Sequence, residues 1–225
     1  MSNPNGYRDT LLSFLHQPNL FVIEDTKTSM KCPFEISPNH FLGFAENDLA
    51  SKLPHKYVNA LANIKRALDC QVLSIFLSLG MPTKKIKKMG LERKLQIIQK
   101  LGLVSPRILN KVTAARNLME HEFTNPDEET VMDMKDVISL FIAYTDTIMM
   151  NFSDEVVVAL KNENDEPDSE EVKIYLKPDK HSLEISSNFS PEKIVLSPSD
   201  DDFFVFTERL LFIRWGIGTN PLAEA

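Results

Sequence analysis

The chain has 225 residues, a net charge of −7, 25% charged residues and 43% hydrophobic ones. That length supports a substantial core without disulfide or metal staples, and the composition is that of a globular protein, not a disordered or fibrous one. Runs of about 18 apolar residues are missing, which argues against a membrane span. The only cysteines, Cys32 and Cys70, form no CxxC or Cys/His pairing, which argues against a disulfide framework and a cysteine zinc site.

Met1 to Gly6 lacks a basic region leading into an apolar stretch, so no secretory signal is expected and a reducing cytoplasm is the expected compartment. Residues 1–45 read as a mixed leader. Tyr7 to Leu15 suits a short helix, Leu20 to Ile23 a short strand, and Ser37-Pro38-Asn39 punctuates the remainder of the leader.

Residues 46–152 carry four helical stretches. The first runs from about Lys56 to Leu79, with Tyr57, Leu61, Ile64, Leu68, Val72, Ile75 and Leu79 as one apolar stripe ended by Gly80 and Pro82. The second covers about Leu91 to Leu101, with Gly102 just past its end. Ser105 and Pro106 suit the cap and first turn of a third, which ends near Thr124. The fourth extends from about Asp127 to Phe152 and opens with acids that favour a helix N-terminus. Short connections predict an antiparallel up-and-down bundle.

Residues 153–225 are acidic and β-rich. Val156 to Leu160 is a candidate strand, and 162–171 a polar linker. Val172 to Leu176 and Ser182 to Ser186 flank a turn at Lys177–Lys180, which predicts a hairpin. Lys193 to Leu196 and Phe203 to Phe206 add two short apolar runs, while Glu208 to Trp215 reads equally as strand or helix. The expected fold is α+β and mainly α: an antiparallel helical bundle with a small β-rich C-terminal region.

Charge is distributed unevenly. From Lys84 to Arg116 there are ten basic residues against one acid, Glu92, whereas from Ser153 onward sixteen acids face seven basic residues. A polyanion responds to the local field, so the basic stretch offsets the acidic total. A solvated lysine-rich loop is the plainer reading of the charge alone.

Within that stretch, Ala114 to Phe123 favours helix. On a helix at about 100° per residue, with Arg116 at zero, Glu120 falls near 40°, Asn117 near 100° and His121 near 140°. Ile108, Val112, Ala115, Leu118, Met119 and Phe123 collect on the other side. One face therefore holds a guanidinium, an amide, a carboxylate and an imidazole, groups that suit phosphate chemistry. Singly each has an ordinary reading. Arg116 and Glu120 form an i,i+4 surface pair, and a histidine is favoured near a helix C-terminus.

The motif Arg116-Asn117-Leu118-Met119-Glu120-His121 resembles that of the HEPN family, all-helical domains with Arg, four to six residues, then His on a late helix. His121-Glu122-Phe123 also resembles the His-x-Tyr ending of one toxin branch, with Phe123 in place of tyrosine. The resemblance covers about 46–152. It implies a metal-independent endoribonuclease, with no cofactor, whose homodimer joins two Arg/His sets in one cleft. Arg116 would hold the scissile phosphate, His121 would transfer protons, and Asn117 and Glu120 would assist. Lys84, Lys85, Lys87, Lys88 and Lys111 would steer RNA. A toxin or antiviral effector of this kind implies an inhibitor or antitoxin partner.

Other chemistries find less support. Glycine-rich phosphate loops, GxSxG and HExxH are missing, and His16, His40, His55 and His181 are scattered, so no metal is expected. Asp200-Asp201-Asp202 reads as a solvated turn, and Phe203, Phe204 and Phe206 as core. The rival to catalysis is a helical module that dimerises or docks on RNA or a protein; nucleotide binding is a weaker third.

Overall fold

The computed structural model describes residues 4–103 and 125–215. The described part contains seven helices and one five-stranded antiparallel sheet in the order β1-β2-β3-β4-β5. This corrects the expectation of a helical bundle with a small β-rich tail. The sheet is a principal layer, and its first strand comes from the leader.

The sheet is built from β1 (Leu20–Thr28), β2 (Phe152–Lys161), β3 (Pro167–Lys177), β4 (Ser182–Ser187) and β5 (Lys193–Leu196). β2 through β5 form a meander, and β1 adds to its outer edge with Leu20 opposite Leu160 and Thr28 opposite Phe152. Alternation decides the faces. Val156, Val158, Val172, Ile174, Leu176, Leu183, Ile185 and Leu196 are buried, and cross-strand partners such as Val156, Ile174 and Ile185 stack on one side. The opposite face carries Glu155, Lys173, Tyr175, Lys177, Glu184 and Lys193. Its charges are paired, Lys173 with Glu155 and both Lys177 (2.6 Å) and Lys193 with Glu184.

Hydrogen bonds from Lys177 and then Lys193 draw the Glu184 carboxyl from its ordinary 4.5 down to about 2. A lowered carboxyl pKa contributes stability that is complete above 4.5 and lost as pH falls toward 2. Because these pairs face solvent, Glu184→Gln should cost only about 1 kcal/mol at neutral pH. Denaturant unfolding across pH should show that difference shrinking below 4.5 and vanishing near 2; a constant difference would contradict this origin.

On the helical side, α1 (Pro4–Leu15) buries Leu11, Phe14 and Leu15. α2 (Pro38–Ala50) is capped by Ser37, whose hydroxyl accepts the His40 amide while the His40 ring accepts the Ser37 amide. α3 (Lys56–Ser78), the short α4 (Thr83–Lys87) and α5 (Leu91–Lys100) come next. After residue 124 come α6 (Glu128–Met150), capped by Asp127, and α7 (Asp201–Trp215). α7 begins with acids that complement the helix dipole, and Asp202 pairs with Arg8 of α1. Its Arg209 is buried, donates to the Leu15 carbonyl that ends α1 and lies 4.5 Å over the Phe212 ring.

Hydrogen bonds fix the helix directions. Tyr57 bonds Glu128 (2.6 Å) at the starts of α3 and α6, and Gln71 bonds Thr145 (2.8 Å) and Asp146 (2.9 Å) toward their ends. α3 and α6 are therefore parallel. α2 runs against both, with Asp48 on Asn63 (2.8 Å), Asn39 on Asp146 (3.4 Å) and Glu46 on Lys135 (3.0 Å). The expected antiparallel bundle fails here: its first and last helices, α3 and α6, run in the same direction, with Tyr57 and Glu128 together at their starts. Sheet and helices contribute to a single hydrophobic core. Among the described residues, no helix is long and apolar enough to cross a membrane.

Candidate nucleic-acid interface

Arg116, Asn117, Glu120, His121 and Lys111 lie outside the described residues. The structure does position the basic stretch that precedes them in the chain.

That stretch begins at the end of α3. Gly80 adopts φ +76° and donates to the Leu77 carbonyl, and Met81 donates to Phe76, the paired bonds that close a helix in a left-handed turn. Met81 and Ile86 are buried, so α4 is pinned by its apolar side. Lys84, Lys87 and Lys88 are left exposed. α5 buries Leu95, Ile97 and Ile98 and exposes Arg93, Gln96, Gln99 and Lys100. It ends with the same motif: Gly102 at φ +71° donates to Gln99, and Leu103 to Ile98.

Three contacts clamp this basic unit to the rest of the molecule. Gly80 packs directly on the backbone of Pro178 in the turn between β3 and β4. His181, at φ 52° in the same turn, shares a 2.6 Å hydrogen bond between Nδ1 and the Gly80 carbonyl. Lys85 donates to the Pro198 carbonyl at 2.6 Å, in the loop between β5 and α7. The ammonium of Lys85 is thus used as a tether, while its three lysine neighbours face solvent.

The electrostatics differ sharply from those of the sheet. Between Lys84 and Leu103 seven basic residues face one acid, Glu92. Arg93 bonds a neutral partner, Gln96, at 3.3 Å, and Lys84, Lys87 and Lys88 enter no ion pair among the described residues. On the sheet face, Lys173, Lys177 and Lys193 are all matched by glutamates. An uncompensated set of ammonium groups on a fixed support attracts phosphates at long range.

The described residues flanking the motif segment sit at opposite ends of the helical layer. Leu103 lines a small apolar cavity of about 20 Å³ with Ile75, Leu79, Ile148, Met149 and Phe152, near the ends of α3 and α6. This space holds about one water and is too small for a substrate. Asp127 caps the other end of α6, where Tyr57 meets Glu128. Among the described residues no group of three or more His, Cys, Asp or Glu side chains is placed to hold a metal ion.

The clamp has no signal in the sequence. Gly80 is legible as a helix stop, but nothing in the order of residues joins His181 to a carbonyl 101 residues away. Comparison with protein-family models, curated proteins and solved structures finds no match to this chain.

Proposed function

We propose that the chain is an RNA-binding protein with metal-independent endoribonuclease chemistry at Arg116 and His121, acting as a homodimer. The observation that carries the binding half is the basic face of α4 and α5, whose Lys84, Lys87 and Lys88 enter no ion pair among the described residues and which precedes the motif segment in sequence. The chemical half rests on the residue types of the motif, and it asks nothing of a four-helix bundle. Transesterification of RNA needs a base for the ribose 2′-hydroxyl, positive charge on the phosphorane and an acid for the leaving 5′ oxygen. Imidazole titrates near neutrality and serves as base or acid. Guanidinium keeps its charge and grips phosphate oxygens through two parallel hydrogen bonds. One chain offers a single motif histidine, so two copies supply the pair. Asn117 would bond the phosphate, and Glu120 would hold Arg116 one turn away.

The full-length chain incubated with varied RNAs in EDTA should release fragments ending in 2′,3′-cyclic phosphate and 5′-hydroxyl. Reversing Lys84, Lys87 and Lys88 to glutamate should weaken RNA binding at least tenfold. It should also lower the slope of log K against log salt by about 2, from three lost single-strand phosphate contacts. RNA that binds but stays intact over hours would favour the interaction-module reading. RNA that neither binds nor is cut would remove both.

A further inference from the structure

The two cysteines, separated in sequence by the whole of α2 and the first part of α3, meet in one niche. Cys32 lies partly exposed in the segment between β1 and α2, and Cys70 is buried on α3 at 8% exposure. Cys70 Sγ lies 3.5 Å from the Ile36 carbonyl, so it faces the segment that carries Cys32. The Ser74 hydroxyl, one turn further along α3, donates to the Cys70 carbonyl at 2.9 Å and lies 3.4 Å from Cys32 Sγ, so one oxygen touches both cysteines. Burial, and then the charge and hydrogen bond of Cys32, push the Cys70 thiol up to about 12.

These positions give the two sulfurs different roles. A reagent reaches the partly exposed Cys32 first. Cys70 stays a protonated, shielded thiol until an electrophilic sulfur is presented beside it.

We propose that Cys32 and Cys70 are a reversible thiol-modification site, closing to an intramolecular disulfide when the chain meets a low-molecular-weight disulfide such as oxidised glutathione. The Cys32 thiolate attacks one glutathione sulfur and breaks the S–S bond, releasing the other glutathione as a thiolate that takes up a proton. Cys70 then loses its proton to solvent as its sulfur attacks Cys32, expelling the second glutathione as a thiol. The two protein thiols are oxidised by two electrons, and one glutathione disulfide is reduced to two thiols. The bond fastens the segment before α2 to the middle of α3, so that α2 is enclosed in a covalent ring.

The test equilibrates the full-length chain in glutathione buffers from reducing to oxidising, quenches with an alkylating reagent and maps the peptides by mass. Both thiols should disappear together in one two-electron transition, with the intact mass lower by two hydrogens and a Cys32–Cys70 cross-linked peptide. The oxidised form should melt several degrees higher, because the ring restricts the unfolded chain. Cys70→Ser should instead leave a lasting glutathione adduct on Cys32. A wild-type chain that keeps that adduct with Cys70 free overturns the proposal. So does one whose thiols both stay reduced in the most oxidising buffer.

Discussion

His121→Ala should slow RNA cleavage by about 10²–10⁴-fold, the range supplied by a positioned proton-transfer group. Arg116→Ala should cause a loss of similar order, because the phosphorane would lose its charged partner. Neither variant should alter RNA affinity more than a few-fold, since the basic face of α4 and α5 stays in place. Two further measurements separate catalysis from folding. Circular dichroism should be unchanged. A bell-shaped rate–pH profile in the wild type would report one histidine acting as base and another as acid. Full cleavage by His121→Ala would end the catalytic reading, whatever the binding data show.

The largest structural effect is expected at Gly80. Its φ of +76° belongs to the left-handed region, and a Cβ there would lie 2.9 Å from Pro178 Cα and 3.0 Å from the Pro178 carbonyl oxygen. Both obstacles are backbone atoms, so neither can rotate aside. Backbone strain adds to this collision, and Gly80→Ala should lose about 2–4 kcal/mol of unfolding free energy. Gly43 in α2 provides the contrast, because a Cβ at that position meets nothing within 4 Å. Gly43→Ala should therefore gain about 0.5–1 kcal/mol. Equal effects at the two glycines in chemical denaturation would refute the packing of α3's end on the β3–β4 turn.

Local chemistry makes parts of this fold readable. Gly80 and Gly102 stop α3 and α5 because each takes the left-handed turn after the helix, and Asp127 starts α6 by accepting the Thr130 amide. The Lys177–Lys180 turn joins β3 to β4, and Lys193–Leu196 is β5. Long-range partners are not readable. β1 carries Glu24 and Asp25, as an edge strand can, and its pairing with β2 is invisible until both are placed. α2 hides in the sequence because Ser37-Pro38 has the look of loop punctuation, although serine at the cap and proline in the first turn begin the helix. Phe203 to Phe206 has the aromatic content of a strand. Only the longer spacing of Phe203, Phe206, Leu210 and Leu211, all buried, reveals the helical face of α7. At the candidate interface the lysines are visible as charge, but the tether from Lys85 to Pro198 depends on a loop more than a hundred residues downstream.

The place of β1 in the sheet has a consequence for biogenesis. Leu20 finds its partner at Leu160, so the sheet's outer strand waits, after it is made, for nearly the whole helical region to be translated. At about 5–20 residues per second that interval is roughly 7–30 seconds. During that time the emerging N-terminal segment has unsatisfied ladder donors and acceptors, with apolar Leu20, Phe21 and Val22 beside them. Chaperone capture of the nascent chain belongs in this interval, and it should end when Val156–Leu160 leaves the ribosome.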